Sequence, residues 1–352
     1  MWSKMVEVTK IGNKTLVMDG KILSLFRKGS LLRQMYYGGY EDFDGANGGV
    51  WKKYINIPVT TIPSEYAQYL IEIDDTNVSV YNVEGTLKAQ ASIASEFWSL
   101  VRSDGFDIRV FDHLFNQLWF WVEEFDYANK KAKIWVKLPE NSEELNIAFG
   151  NEKASESLYN NGGETLEFLD DFEDRDISDW LTYNGVWTAE NGYLEQLSTD
   201  VNGYRAKHSE FSSGRDIVIE AKVYIHSNIP TGIVFAQTFG TARDAVNGYL
   251  VDACTTAMRL VGVKDNTWGA LFKISKEISV TEGWHTMRLI VRADGYIKGE
   301  VVGVDYLETT DTTYSTGGVG VNVFDGYGGW DNVKVLKFAD PATFGTPRII
   351  EF

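Results

Sequence analysis

Short runs of alternating apolar and polar residues, each closed by a glycine- or asparagine-bearing turn, recur along this chain from end to end. That period of two constrains the fold more than any other feature. Neighbouring side chains on a strand point to opposite faces, so each run buries one face and turns the other away. Tyr54-Ile-Asn-Ile-Pro-Val59, Tyr69-Leu-Ile-Glu-Ile73, Asp107-Ile-Arg-Val-Phe111 and Lys133-Ile-Trp-Val-Lys-Leu138 are of this kind. So are Asp216-Ile-Val-Ile-Glu-Ala-Lys-Val-Tyr-Ile225, Gly248-Tyr-Leu-Val-Asp252, Met258-Arg-Leu-Val-Gly-Val263 and Trp284-His-Thr-Met-Arg-Leu-Ile-Val-Arg292. Thirty-three glycines against six prolines suit strands joined by tight turns. The spacing predicts an all-β chain of antiparallel sandwiches.

At 352 residues the chain is too long for one ordinary core. Residues 1–34 carry three short apolar runs, Val6–Ile11, Thr15–Met18 and Lys21–Phe26, punctuated by Gly12-Asn13 and Asp19-Gly20. They predict a three-strand meander, too small to bury a core of its own and therefore an attachment arm. Residues 35–50, rich in Gly and Tyr, form a connection. Residues 51–160 predict a first sandwich, with one helix between Gly85 and Leu100, where Leu87, Ala91, Ala94, Phe97 and Trp98 fall at helical spacing. Asn160-Asn-Gly-Gly163 marks a boundary. About a dozen strands over residues 161–340 match a two-sheet jelly roll, and residues 341–352 form a C-terminal surface strap.

Two stretches resemble known families. Ser103-Asp-Gly-Phe-Asp-Ile-Arg109, Leu118-Trp-Phe-Trp-Val-Glu-Glu-Phe-Asp126 and Ala132-Lys-Ile-Trp-Val-Lys-Leu-Pro139 lie within residues 51–157. This segment resembles domain of unknown function 2341, a β-rich module of bacterial, archaeal and viral surface proteins. Leu169-Asp-Asp-Phe-Glu-Asp174, Trp180, Gly185-Val-Trp187, Glu190-Asn-Gly-Tyr-Leu194, Gly317-Gly-Val-Gly-Val321 and Trp330-Asp-Asn-Val-Lys-Val335 lie within residues 165–338. In that order they resemble a concanavalin-A-like jelly roll of the laminin-G and carbohydrate-binding kind. Together the resemblances imply two tandem sandwiches, which follow the N-terminal β-meander arm, a surface context, and recognition of a glycan or host-surface receptor.

In such jelly rolls the first and last strands lie side by side, which would bring Asp170, Asp171, Glu173 and Asp331 together as a structural calcium site. Hard cations take carboxylate oxygens. The alternative for these acids is turn capping, with side-chain oxygens bonding nearby backbone amides. A sugar site needs exposed aromatic faces for pyranose rings and polar side chains for hydroxyls. The candidates are Trp268, Tyr249, Arg259, Trp330 and Tyr327, with Arg243 and Asp252 as polar partners. Trp268 leads because Lys264-Asp-Asn-Thr-Trp-Gly269 is a turn-like setting, while Trp284 is assigned to the core.

Catalytic patterns are missing. A family-sixteen hydrolase motif, Glu-x-Asp-x-x-Glu, has its nearest counterpart in Glu72-Ile-Asp-Asp-Thr-Asn77, where Asn77 replaces the second acid. The four histidines are scattered, and no nucleophile elbow, P-loop or dinucleotide fingerprint occurs. Cys254, the single cysteine, excludes a disulfide framework and a cysteine-based zinc site.

Net charge is −17, unevenly spread. Residues 1–50 hold seven basic and five acidic side chains, and the remainder 26 and 45. An acidic body repels nucleic acid and anionic membranes, and no apolar run approaches the roughly 20 residues of a membrane span. Met1-Trp-Ser-Lys-Met5 has no apolar h-region behind it. The expectation is a non-catalytic virion structural protein (capsid decoration, spike or tail-fibre type) or surface-display protein, presenting a glycan- or receptor-binding jelly roll. Residues 1–50 would mediate homo-oligomer or other structural contacts. The alternatives are a secreted or cell-surface carbohydrate-binding adhesin of a prokaryote and a divergent glycoside hydrolase.

Overall fold

The structure, a computed structural model, describes four backbone segments within residues 6–36. It then describes residues 43–61, 63, 65–199, 203–240, 246–338 and 342–352. The chain is all-β and divides into two compact units, Met1–Thr165 with Ala339–Phe352, and Leu166–Phe338. Among the described residues no helix is long and apolar enough to cross a membrane.

The opening segment pairs as β1 (Val6–Ile11), β2 (Lys14–Asp19), β3 (Ile22–Arg27) and β4 (Ser30–Tyr36), an antiparallel meander in sequence order. It has four strands where three were expected. The added strand, Ser30-Leu-Leu-Arg-Gln-Met-Tyr36, follows Lys28-Gly29, which is not one of the strong turn dipeptides.

The first sandwich uses β5 (Lys53–Thr61), β6 (Ala67–Ile73), β7 (Val78–Asn82), β8 (Leu87–Ala91), β9 (Arg109–Asp112), β10 (Phe120–Asp126), β11 (Lys131–Leu138) and β12 (Glu144–Phe149). Strands β10-β11-β6-β7-β8 form one sheet, and β5-β12-β9 belong to the other. Ile55, Ile57, Ile71, Ile134, Val136 and Ile147 meet between them, fully buried. The expected helix over Gly85–Leu100 is shorter: α1 spans Ala94–Leu100, and Leu87–Ala91 is strand β8. Gly85 turns the chain at φ +78°, its amide bonding Asn82 O at 2.9 Å. Leu87 can then pair with Tyr81 on the open edge of β7, and this tertiary partner outweighs good helix formers in the run Leu-Lys-Ala-Gln-Ala. Helix α1 turns Ala94, Phe97 and Trp98 inward. A short helix, α2 (Gly162–Thr165), closes this part of the chain.

The Gly/Tyr-rich connection is ordered at its end. Phe43 is buried against Trp51 and Phe111, with ring centroids at 5.3 and 5.0 Å. Arg109, itself buried, ties this turn down through Asp44 at 2.9 Å and Ser155 O at 2.8 Å.

The second unit runs through β13 (Phe168–Asp170), β14 (Trp180–Tyr183), β15 (Trp187–Thr188), β16 (Leu194–Gln196), β17 (Tyr204–His208), β18 (Ser213–Gly214), β19 (Ile217–Ile225) and β20 (Thr231–Phe239). It continues with β21 (Val246–Cys254), β22 (Ala257–Lys264), β23 (Thr267–Glu277), β24 (Gly283–Val291), β25 (Tyr296–Val301), β26 (Asp305–Thr310), β27 (Thr316–Val323) and β28 (Gly328–Lys337). Two antiparallel sheets result, β15-β16-β28-β19-β24-β25-β26 and β14-β17-β27-β20-β21-β22-β23. Alternate residues of β19, Ile217, Ile219, Ala221, Val223 and Ile225, enter the core with Met287, Leu289 and Val291 of β24. Each of these side chains except the smaller Ala221 contributes about 1.5–3 kcal/mol on burial.

The last residues are no surface strap. β29 (Thr343–Phe344) and β30 (Arg348–Glu351) both pair with β5 and complete the first sandwich. Ala342 is buried and Ile349 packs on the same core. The first unit is therefore interrupted in sequence by the second, and the two are not strictly tandem.

Candidate functional site

The groove starts from strand phase. In β24 the core residues are Met287, Leu289 and Val291, so Trp284 lies on the opposite face, directly across from Tyr224 of β19. This corrects the assignment of Trp284 to the core: it is 41% exposed. Counting back in twos from Val291 would have found it.

Two tyrosines stand perpendicular to the indole. Tyr193 stands 5.0 Å from it at 83°, and Tyr224 stands 5.6 Å away at 90°. Both are edge-to-face contacts, which aromatic quadrupoles favour. Gly328 and Gly329 keep the floor low. A Cβ on Gly329 would lie 3.2 Å from Trp284 and 3.3 Å from Tyr224, and one on Gly328 would overlap the ring of Trp330. Tyr327, 51% exposed, lines the same depression together with Glu195, Gln196, Leu197 and His226. Its open volume is about 190 Å³.

The polar groups are distinct in what they have left to offer. Gln196 donates to Ser198 O at 2.8 Å and Gly326 O at 2.7 Å, so its amide is committed. Glu195 accepts from Asn191 Nδ2 at 2.6 Å. Burial raises the Tyr193 pKa above its ordinary value, helped by a hydrogen bond to Glu195. Burial lowers the His226 pKa, against the opposing pull of Glu282, whose carboxylate lies 3.8 Å from Nδ1.

Of the expected sugar-binding residues, Tyr327 belongs to this groove. Trp268, Arg259 and Asp252 come together elsewhere, on the outward face of the other sheet. Arg259 makes a two-pronged pair with the fully buried Asp252, 2.7 Å on each arm. Its guanidinium lies 5.7 Å from the Trp268 ring and 5.4 Å from that of Phe324. Phe324 meets Trp268 edge-on at 5.0 Å. Burial raises the Asp252 pKa, opposed by Arg259.

Tyr249 and Trp330 are fully buried and offer no platform. Tyr249 donates its hydroxyl to Asp311, and burial together with that bond pushes its pKa up to about 12. Trp330 donates Nε1 to Gly232 O at 2.9 Å and stacks on Trp187. The phase of two explains Tyr249, which shares its strand face with Val251. Trp330 is out of step with Val333 and Val335 and is turned inward by the irregularity at Asn332 (φ +49°), where β28 shifts register against β19. Arg243 lies outside the described residues.

The four acids expected to hold calcium do not gather. β13 does lie beside β28, with Asp170 opposite Val333. Yet both oxygens of Asp170 are taken, by Phe172 N at 2.9 Å and Trp180 Nε1 at 2.7 Å, and burial raises its pKa. Asp171 accepts from Glu173 N, and Asp331 pairs with Lys222 at 3.3 Å. Among the described residues no three His, Cys, Asp or Glu side chains are placed to hold a metal ion. These residues fit turn capping and do not fit calcium.

A family model for a domain of unknown function (DUF2341) matches residues 104–189. The match starts later than the expected 51–157 and runs past Thr165 into the opening strands of the second unit. No curated protein matches the chain. Among solved structures, a carbohydrate-binding module (CBM66) from Bacillus subtilis is similar at 19% identity, covering 46% of this chain and 98% of its own, TM-score 0.36. A protein of unknown function with a galectin-like fold, also from Bacillus subtilis, is similar at 12% identity, covering 50% and 97%, TM-score 0.41. An endo-β-1,3-glucanase from Pyrococcus furiosus is similar at 14% identity, covering 50% and 95%, TM-score 0.39.

Proposed function

We propose that this chain is a non-catalytic display protein of a virion or cell surface, whose second unit binds a glycan in the Trp284–Tyr327 groove. The observation that carries the reading is the exposed indole of Trp284, held in perpendicular contacts by Tyr193 and Tyr224 beside the exposed Tyr327. Pyranose rings present C–H faces that stack on such surfaces, while nearby polar groups receive the hydroxyls. The Trp268 cluster is the weaker platform, because Arg259 covers its ring and spends two donor groups on Asp252.

The lining supports binding without turnover. Hydrolysis of a glycosidic bond calls for two flanking carboxyl groups, and Glu195 is the single carboxylate among the groove's lining residues.

Strand β28 supports presentation. Its first residues floor the groove, and its last pair with β13, where the chain enters and leaves this unit. At 3.3–3.4 Å per residue, the six residues from Gly329 to Val335 place the groove at most about 20 Å from that attachment. The four-strand meander and the basic excess of residues 1–50 support an attaching role for the N-terminal segment, to like copies or other structural proteins.

A glycan array probed with the full chain, Trp284→Ala and Tyr327→Ala tests the binding. Each substitution should weaken the wild-type signal about tenfold or more, as loss of a stacking anchor does. A signal untouched by both substitutions would sink the groove.

A further inference from the structure

The charge and size of the groove say more about its ligand than its aromatic walls do. This step rests on the groove reading above. Among the ten lining residues Glu195 carries a full charge, and no Lys or Arg is present. The carboxylate accepts from the neutral Asn191 amide at 2.6 Å and is bonded by the Tyr193 hydroxyl, so these contacts leave its charge uncompensated. His226 adds no cation near pH 7, since burial favours the neutral imidazole, and its acidic neighbour is Glu282. Lys222, two residues before Tyr224 on the same face, is held by Asp331 at 3.3 Å. The wall thus has a negative potential and an oxygen pair that accepts hydroxyl hydrogens. A ligand carboxylate or sulfate placed there meets like charge with no partner.

Volume sets the second limit. At about 190 Å³ the depression falls below the roughly 300 Å³ at which drug-sized sites begin. Its sheltered part holds about one ring, and further rings would lie over open surface.

We propose that the groove takes a single ring of a neutral sugar and rejects a ring bearing a uronic, sialic or sulfate group. Weak single-ring binding suits a protein that engages a surface through many copies, where linkage multiplies modest affinities.

The test titrates the full chain, monitored by tryptophan fluorescence and ligand-observed NMR. The ligands are methyl glycosides of neutral hexoses and pentoses, their matched uronic acids, a sialoside, and neutral di- and trisaccharides. At least one neutral glycoside should bind, with its acidic counterpart about tenfold weaker or more. Glu195→Gln should narrow that ratio to within about threefold, because the repelling charge is gone while the shape remains. Lengthening the neutral ligand past one ring should change affinity by less than about threefold. Acidic rings bound as tightly as neutral ones, with the signal lost in Trp284→Ala, would overturn the charge selection and leave the groove standing. An affinity rising about tenfold per added ring would overturn the single-ring limit. No binding in either class, or binding that survives both Trp284→Ala and Tyr327→Ala, would remove the groove reading itself.

Discussion

The second unit carries two outward tryptophans on opposite sheets, and they differ in what their neighbours have consumed. Trp268 is partly buried, with Arg259 over its ring, Phe324 at its edge, and the donors of Arg259 turned onto Asp252. Trp284 meets Tyr193 and Tyr224 in perpendicular ring contacts and stays 41% exposed beside a carboxylate whose contacts are to neutral donors. An aromatic residue can serve as a platform when its neighbours fix it and still leave it exposed. The polar groups around it must also retain bonding capacity. On that criterion the Trp268 cluster stabilises a sheet, and the Trp284 groove is the proposed recognition surface.

Four measurements break or sharpen this contrast. Arg259→Ala should be the most damaging, because it leaves the fully buried Asp252 without its ion-pair partner. Removing one member of such a pair costs about 3–5 kcal/mol, read as a lowered urea midpoint, with glycan binding unchanged in protein that remains folded. Trp284→Ala should do the reverse: about tenfold or more lost in binding, and under about 1 kcal/mol lost in stability. Trp268→Ala should cost about 1–2 kcal/mol through its aromatic and cation–π contacts and leave binding intact. If it were Trp268→Ala that abolished binding, the assignment of the two faces would be inverted.

The last effect appears only in acid and concerns the sheet behind the groove. Glu220 lies on the same outward face as Tyr224, where burial would raise its pKa but Lys334 and Arg288 bring it down to about 2. A depressed carboxyl contributes stability present above its unfolded value, near 4.3, and lost as pH falls through the folded value. The melting temperature should therefore decline between about pH 4.5 and pH 2, and Glu220→Gln should flatten that decline. An unchanged slope in the variant would show that the network does not govern acid stability.

Much of the fold was legible in the sequence. The period of two in Ile217–Ile225 and in Met287–Val291 marks both strands and separates their faces. Trp284 was legible by the same count, and was missed because a large aromatic in a strand is usually interior. Other features were not legible locally. Leu87–Ala91 has the composition of a helix and is a strand because the edge of β7 offers it partners. Arg348–Glu351 pairs with Lys53–Asn56, almost the full chain length away, and nothing within four residues of β30 specifies that partner. The gathering of Asp170, Asp171, Glu173 and Asp331 was plausible by strand adjacency. It failed because Trp180 and a backbone amide reach the Asp170 oxygens first, and Lys222 takes Asp331.

What the sequence by itself determined was the alternation: which residues are strands, and which side chains share a face. Backbone stereochemistry sets that period within each strand, independent of partners. Which strands became neighbours, which acids met cations, and which outward tryptophan was covered by a cation were decided only by tertiary pairing. Those outcomes depend on side chains brought together from distant strands, and such juxtapositions exist only once the sheets have formed.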